Sequence, residues 1–336
     1  MAKILLGEIV TERTRLLSSI AEITSDYRSD ELCAPTPEHV DRWVSQFSPN
    51  LQQPILAELE HVFSKTYFTK ANVLTFLSSL VKNPKLTGGN AAAFWPGVKF
   101  LNIQQAGNSQ REMLTLFEQE LLKHCGLRLS DCGANPHSFL YLDDVLFTGG
   151  RIKSDLSGWI KNHCPQTASI VVVTIGYHRL GQWFTANDLK KAVDATGKNV
   201  TFQWWRCVEI EDRKKYTYSS DVLRPTRIPD DVTTQAYVSG LGAEQTFRTP
   251  GSVGGNAFFS SEAGRDVLEQ EFLKKGAYIR SICPHLTIYQ RPLGNVVLKT
   301  MGFGSMIVTF RNCPNNAPLA LWAGHPWYPL FARKTN

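Results

Sequence analysis

The sequence predicts an α/β protein in which a parallel sheet is flanked by helices, with a helical N-terminal lobe before the sheet and a mixed α+β region after it. Between residues 98 and 205, short runs of aromatic and β-branched residues alternate with segments of helical spacing. Such alternation favours parallel strands joined by helices. The alternation is absent before residue 89 and after residue 224, so the chain is predicted to have three parts.

The first part, residues 1–88, is predicted to be a helical lobe, because its apolar residues recur at helical spacing and proline-containing breaks separate the runs. A lid, a docking platform for a partner and ordinary core packing all remain open as explanations of this lobe. The four predicted helices are centred on residues 16–23, 40–47, 55–63 and 73–80.

The second part, residues 89–224, is predicted to be the α/β domain, and ligands of such domains bind outside the carboxyl edge of the sheet. The third part, residues 225–336, is rich in glycine at its start and ends in an aromatic, proline-rich tail. The elements predicted for these two parts are strands at 98–103, 139–142, 169–175, 200–205, 292–298 and 306–310, and helices at 111–123, 151–162, 186–195 and 261–276.

The most informative segment is residues 139–151, where an apolar strand leads into Asp143 and Asp144 and then into a glycine turn that opens a helix. Two adjacent carboxylates suit the vicinal hydroxyls of a ribose. Backbone N–H groups of Thr148, Gly149, Gly150 and Arg151 lie where a helix begins, a position that favours a phosphate. The order of parts therefore predicts a site for a ribose 5-phosphate.

This segment resembles the phosphoribosyl pyrophosphate signature of type I phosphoribosyltransferases: an apolar strand, two acids, a short spacer and Thr-Gly. The resemblance implies that Asp143 and Asp144 bind the ribose hydroxyls and that Thr148, Gly149 and Gly150 hold the 5-phosphate. Arg151 stands where that family usually has a threonine; it can pair with a phosphate, but its bulk can crowd the turn. Solvated acids beside an ordinary turn remain the alternative.

A second candidate region is the polar loop 104–110, which lies where phosphoribosyltransferases hold pyrophosphate. Its candidate residues are Gln105, Gly107, Ser109 and Gln110. The loop has no charged residue, and a plain helix N terminus capped by Asn108 or Ser109 explains it equally well.

Composition restricts the function only weakly. The formal net charge of +6 is compatible with a polyanionic partner without requiring one. The seven cysteines stand apart, with no zinc-like spacing, so no protein-held metal is expected and reduced thiols in the cytoplasm are predicted. The longest apolar run is too short for a bilayer, so no membrane partner is expected.

A wider resemblance joins the acid pair to several segments of the third part. Together they resemble phosphoribosyltransferase-like proteins of bacterial anti-phage systems, including effectors encoded beside retron reverse transcriptases. This resemblance implies a toxic effector restrained by a reverse transcriptase with its multicopy DNA and RNA and by a DNA-binding helper protein. The segments are Glu262–Arg265, Arg291–Gly294, Gly302–Ser305 and Arg311–Asn316.

The chemistry implied is glycosyl transfer from phosphoribosyl pyrophosphate, or cleavage of an N-glycosidic bond in a nucleotide or nucleic acid. A Mg²⁺ ion is expected only as a companion of the substrate's pyrophosphate. Two other classes of function remain open: a non-catalytic sensor of phosphoribosyl pyrophosphate or nucleotides that regulates a partner, and a nucleoprotein-binding scaffold.

Overall fold

The computed structural model describes residues 2–105, 107–294 and 300–334, with side chains from residue 12 onward. The α-helices and strands, in chain order, are α1 (Ala2–Ile23), α2 (Pro37–Val44), α3 (Pro49–Thr66), β1 (Tyr67–Phe68), α4 (Lys70–Val81), α5 (Pro84–Thr87), α6 (Ala91–Phe94), β2 (Val98–Phe100), α7 (Ser109–Cys125), β3 (Ser138–Leu146), α8 (Gly150–Asn162), β4 (Thr167–His178), α9 (Arg179–Asp194), β5 (Asn199–Ile210), α10 (Val232–Ser239), α11 (Glu262–Ile282), β6 (Val308–Thr309) and α12 (Leu319–Trp322).

The chain divides into two compact units. The central unit is Ala71–Ile210, and the discontinuous unit combines the residues up to Lys70 with those from Glu211 onward. The three-part division proposed from the sequence, with boundaries after residues 88 and 224, rests on changes of sequence pattern and stays a prediction.

The central unit contains a four-stranded parallel sheet in the order β2-β3-β4-β5, which confirms the predicted α/β class. Strand β3 lies between β2 and β4, with Phe139 opposite Ile170 and Asp143 opposite Thr174. Because all four strands run the same way, their carboxyl ends share one edge of the sheet. The starts of α7, α8 and α9 follow that edge directly along the chain.

The four strands predicted for this unit are confirmed, but element bounds differ: β2 ends at Phe100 rather than at residue 103, and β5 continues to Ile210 rather than ending at residue 205. Strand β3 continues past the acids to Leu146, because Val145 and Leu146 pair with Gly176 and Tyr177 of the long strand β4. Helix α9 begins at Arg179, not at residue 186, because Gly181 lets its first turn lie close to the chain that follows β3. A sequence pattern alone does not report such a close approach.

The hydrophobic core of the central unit determines the faces of the sheet on which the two acids lie. Phe139 and Tyr141 of β3 pack against Leu156 of α8, in a cluster that also contains Ile170 of β4 and Leu189 of α9. Successive residues of a strand point to opposite faces of the sheet. Asp143 therefore lies on the same face as Tyr141, and the next acid on the other.

The discontinuous unit has its own core, to which both ends of the chain contribute. Trp43 of α2 packs edge-on against Phe272 of α11, and its indole Nε1–H donates to the carbonyl of Ala320 at 2.8 Å. Strands β1 and β6 pair in parallel within this unit. Core packing therefore explains the apolar stripes of α2 and α3.

Three predictions in the C-terminal region have different outcomes. The helix predicted at 261–276 is confirmed as α11, with Ser261 accepting the capping hydrogen bond from the N–H of Gly264. The strand predicted at 306–310 appears as the short β6. Most of the strand predicted at 292–298 lies outside the described residues.

Candidate functional site

The two acids lie near the carboxyl end of β3 in different surroundings. Asp143 is 4% exposed, whereas Asp144 is half-buried. The Asp143 carboxylate accepts the N–H of Asp144 at 2.9 Å, and the Asp144 carboxylate accepts the N–H of Val145 at 2.7 Å. A buried acid followed by a more accessible one therefore lies two to three residues before the end of the strand.

A short relay of side chains connects Asp143 to the start of α7. The Gln104 side-chain amide donates to the hydroxyl of Ser109 at 2.9 Å, and that hydroxyl lies near enough to the Asp143 carboxyl to lower its pKa. No lysine or arginine among the described residues comes within ion-pair distance of Asp143. Its negative charge is stabilised in the fold mainly by neutral hydrogen-bond donors.

These surroundings strongly shift the pKa of the Asp143 carboxyl group. Burial, followed by the repulsion of the neighbouring Asp144, raises the pKa of Asp143 to about 7. The hydrogen bonds from Ser109 and the Asp144 N–H, and the charge of Arg151, act in the opposite direction. A carboxyl whose pKa is raised by burial and a neighbouring like charge is found often at ligand sites.

The glycine turn after β3 is fixed by its packing. Gly149 has a φ of 75° and is buried, and a Cβ placed there would lie 1.7 Å from Thr185 Oγ1 on α9. Gly181 of α9 in turn approaches the Phe147 carbonyl, where a Cβ would lie 1.9 Å from the oxygen. Gly149 therefore gives the turn its shape, and its side of the turn faces protein.

The opposite side of the turn faces solvent. Thr148, Gly150 and Arg151 are exposed, and a Cβ at Gly150 would meet only the Thr148 hydroxyl, at 3.8 Å. Within the described residues no side chain caps the start of α8. The first N–H groups of α8 are therefore oriented toward an open surface that suits an anion.

Arg151 leaves this surface open. Its side chain is exposed, and its positive charge lowers the pKa of both Asp143 and Asp155. Among the described residues it makes no ion pair with either acid, so its guanidinium is close to the site and available to a ligand. The crowding of the turn by Arg151, considered from the sequence, stays a prediction.

The loop 104–110 is held by a buried glutamine. Gln110 is fully buried, and its side-chain carbonyl accepts the N–H groups of Ile103 and Gln104 at 2.6 and 2.9 Å. The backbone N–H of Gln110 donates in return to the Gln104 side chain at 3.0 Å. Gln110 therefore shapes the loop from inside.

The other loop candidates lie closer to the acids. Ser109 lies beside Asp143, Gly107 has a φ of 87°, and the Gln105 backbone lies near enough to Asp155 to act against the raised pKa of that carboxyl. Asn108 occupies the N-cap position of α7 without a side-chain capping bond, and Ala106 lies outside the described residues.

The structure adds three residues that the sequence did not single out. Gln104 supports Ser109, and the hydroxyl of Tyr141 donates to Asp155 at 2.9 Å. Asp155 was detectable in principle, because it lies four residues after Arg151 and hence on the same face of α8. Gln104 and Tyr141 had no distinguishing signal, since a loop amide and a strand tyrosine are common.

The whole arrangement has a recognisable order. Helix α7 begins beside Asp143, through Ser109, and helix α8 begins at the turn that follows Asp144. Each helix N terminus carries partial positive charge. Two carboxylates suited to sugar hydroxyls thus lie with two sites suited to anions, one on either side.

A parallel α/β sheet with this acid pair and this glycine turn defines a phosphoribosyltransferase-like protein. A family model described as PRTase-CE matches residues 40–333, most of the chain, and the chain belongs to that family. No curated protein and no solved structure matches the chain.

Three further observations describe the rest of the chemistry. All seven cysteines are free thiols. Within residues 2–105, 107–294 and 300–334, no cluster of three or more His, Cys, Asp or Glu side chains could hold a metal ion. In the same part of the chain, no helix combines the length and apolar character that crossing a bilayer requires.

Proposed function

We propose that the protein binds phosphoribosyl pyrophosphate, or the ribose 5-phosphate part of a nucleotide, and transfers or cleaves at the anomeric carbon of that ribose. The observation that carries this proposal is the pair of helix N termini, those of α7 and α8, beside Asp143 and Asp144. Phosphoribosyl pyrophosphate has the matching order, with hydroxyls in the middle and an anionic group at each end.

Each part of the ligand has a counterpart in the site. The 5-phosphate lies against Thr148, Gly150 and Arg151, on the turn that Gly149 shapes. The ribose hydroxyls bind Asp143 and Asp144.

The pyrophosphate lies at the start of α7. There Gly107 and Ser109 face it, Gln105 contributes backbone, and Gln110 holds the loop.

The reaction breaks the bond between the anomeric carbon and its leaving group, and the carbon then bonds to an acceptor nitrogen or to water. The ribosyl centre becomes electron-poor during this step, so a nearby ionised carboxylate stabilises it. Anchoring the 5-phosphate on α8 uses binding energy far from the reacting carbon to position that carbon. Mg²⁺ would come with the pyrophosphate, neutralise its charge as it leaves, and approach the protein through the Asp143 and Asp144 oxygens.

For the biological role, we propose a cytoplasmic effector of anti-phage defence that is toxic when released. Its restraint would come from a reverse transcriptase with multicopy DNA and RNA and from a DNA-binding helper. The support for this role is the sequence resemblance of the C-terminal segments, above all Arg311–Asn316, to effectors encoded beside retrons. The toxic act would be the same ribosyl chemistry, directed at a cellular nucleotide or nucleic acid.

The decisive experiment replaces both acids, Asp143→Asn with Asp144→Asn. Calorimetric titration with ribose 5-phosphate and with phosphoribosyl pyrophosphate should show binding to the wild type and a loss of at least tenfold in the variant. Profiling of nucleotides and RNA in cells that express the protein should show a change that the variant does not cause. The control is Asp194→Asn, which removes an exposed acid of α9 that pairs with Lys190.

A double variant that is folded and behaves like the wild type in both assays would show that the acid pair is not the working site. Copurification with nucleic acid and a reverse transcriptase, unaffected by the double substitution, would instead support the scaffold alternative.

A second function, that of a sensor, is favoured by one observation: the loop 104–110 contains no lysine or arginine to bind pyrophosphate strongly. A sensor would show ligand-dependent stabilisation without turnover. The titrations above, combined with an assay for released pyrophosphate, separate the sensor from the enzyme.

A further inference from the structure

Strand β5 forms one edge of the four-stranded sheet and lacks the features that normally protect such an edge. Within the described residues it pairs with β4 alone. The strand at the opposite edge, β2, has three residues, whereas β5 has twelve. Edge strands of monomeric proteins are usually short or interrupted by a charge, a proline or a bulge, because their unpaired backbone groups attract other strands. Residues 199–205 contain no charged residue, proline or glycine and keep an unbroken register with β4.

The backbone of this segment presents hydrogen-bonding groups on the side away from β4. The N–H of Asn199 donates to the carbonyl of Gln166, just before β4, at 2.8 Å, so the backbone groups of Asn199 point toward β4. The backbone groups of successive strand residues point to alternate sides of the strand. Those of Phe202 and Trp204 therefore point away from β4, and in the part of the chain that the structure describes no other segment bonds to them.

The side chains of the segment are incompletely covered on both faces of the sheet. Val200, Phe202 and Trp204 pack against the core of the central unit but are only half-buried. On the other face, Thr201 and Gln203 are exposed. A strand added beside β5 would cover the remaining aromatic surface without burying a charge.

The charged residues that follow the segment have partners in their own chain. Arg206 pairs with Glu209, which also pairs with Arg179 and accepts a hydrogen bond from the Tyr177 hydroxyl at 3.1 Å. The open edge therefore gives no charge by which to select a charged partner. It fits an uncharged, aromatic strand, and β5 is itself such a strand.

We infer that β5 pairs in the antiparallel direction with β5 of a second copy of this chain, with Gln203 at the two-fold axis. A two-fold interface brings the same surface of both subunits together. In this register Phe202 of one protomer lies opposite Trp204 of the other, on both sides of the axis, and Arg206 lies opposite Val200, so no like charges meet. Cross-strand aromatic pairs stabilise a sheet. This inference does not depend on the proposed function.

A charge exchange at the axis tests the pairing. Analytical ultracentrifugation should show the wild type as a dimer at micromolar concentration. Gln203→Lys and Gln203→Glu should each weaken association about tenfold or more, because two like charges then lie opposite each other. An equimolar mixture of these two variants should associate again, which a folding defect would not allow. Asn162→Lys, at the exposed end of α8, is the control and should leave the wild-type dimer unchanged.

Crosslinking tests the register. The backbone groups of Gln203 point toward β4, so the two copies of this residue form a pair without mutual hydrogen bonds, with Cα atoms about 4.5 Å apart. This separation allows a disulfide. Gln203→Cys in a Cys207→Ser background should therefore crosslink on oxidation, whereas Thr201→Cys in the same background should not, because Thr201 lies opposite Trp205.

Several results would overturn the inference. These are a monomeric wild type, a dimer that Gln203→Lys leaves intact, a mixture of the lysine and glutamate variants that stays monomeric, and crosslinking at residue 201 in place of residue 203. Because none of these measurements uses a nucleotide or a ribose phosphate, their outcome is independent of whether the proposed function holds.

Discussion

Each unit of the molecule contains a buried carboxylate, and the partners of these two carboxylates differ greatly. Glu269 of the discontinuous unit is fully buried and accepts hydrogen bonds from Arg265 Nε at 2.7 Å, Arg248 Nε at 2.7 Å and the Arg224 N–H at 2.9 Å. Asp143 of the central unit is equally enclosed, but a hydroxyl and a backbone N–H replace the arginines. One carboxylate is neutralised by its own fold, and the other is left to be neutralised by a proton or a ligand.

The difference separates a charge that is paired with cations inside the fold from one that is not. Arg265 is itself satisfied by the carbonyls of Ser220 and Val222 at 3.0 and 2.8 Å, so the Glu269 cluster ties α11 to the chain that follows Glu211. A buried ion pair of this kind is costly to break, because the remaining charge has no solvent. A buried acid without a cation destabilises its own fold, and such strain is retained where binding uses it.

The largest expected effect is on the stability of the protein, and it concerns Glu269. Glu269→Gln should destabilise the protein by about 3 to 5 kcal/mol, because two buried guanidinium groups lose the carboxylate that pairs with both. The melting temperature from calorimetry should fall by several degrees. Glu262→Gln, whose side chain is 40% exposed and pairs with Arg248, is the matched control and should cost about 1 kcal/mol or less. Equal effects of the two variants would contradict the distinction.

The next largest effect distinguishes the two glycines of the turn, because alanine at Gly149 and alanine at Gly150 should change stability by different amounts. Gly149→Ala should destabilise the protein by about 2 to 4 kcal/mol, because the new Cβ meets Thr185 Oγ1 and the residue has a positive φ. Gly150→Ala should change stability by about 0.5 kcal/mol or less. It should nevertheless weaken ribose 5-phosphate binding, because a methyl group then stands on the open surface. Unfolding measurements and titrations on both variants would show whether Gly150 bears on the ligand alone.

A smaller effect depends on pH. Because the pKa of Asp143 is raised from 3.8 to about 7 on folding, the unliganded wild type loses stability as the pH rises between these values. Asp143→Asn removes this titration, so its melting temperature should exceed that of the wild type by an amount that grows from pH 4 to pH 7 and then levels off. The full difference is set by the size of that pKa shift.

Asp144→Asn provides the control for this pH dependence. It removes the repulsion that contributes to the raised pKa of Asp143, so the titration of Asp143 should move to lower pH. A difference between the wild type and Asp143→Asn that did not vary with pH would mean that Asp143 is not a buried, uncompensated acid.

The smallest effect concerns Arg151. Its side chain is exposed and contacts no described acid as an ion pair, so Arg151→Ala should change stability by about 0.5 kcal/mol or less. It should weaken ribose 5-phosphate binding about three- to tenfold, because a charge-assisted contact is lost. Arg151→Lys should recover part of that affinity. A tighter-binding alanine variant would mean that the arginine obstructs the turn after all.

Much of the site could be predicted because its parts are contiguous. The strand, the acid pair, the turn and the start of α8 lie within residues 139–151, and each follows from local residue type. Burial of Asp143 could not be predicted, since Ser109 and its supporting Gln104 come from a distant segment. Gly149 was predicted to approach a phosphate, whereas its positive φ and the proximity of Thr185 give it a structural role as well.

The amino-acid sequence by itself determined the α/β class, the order of strands and helices, and the presence of two acids beside a helix-opening turn, because each depends on short-range pattern and residue chemistry. The tertiary structure alone decided which acid is buried, how the start of α9 approaches the turn after β3, and how Glu269 is neutralised. These properties depend on groups far apart along the chain, and only the packed fold brings such groups within hydrogen-bond distance and removes the water that would otherwise screen their charges.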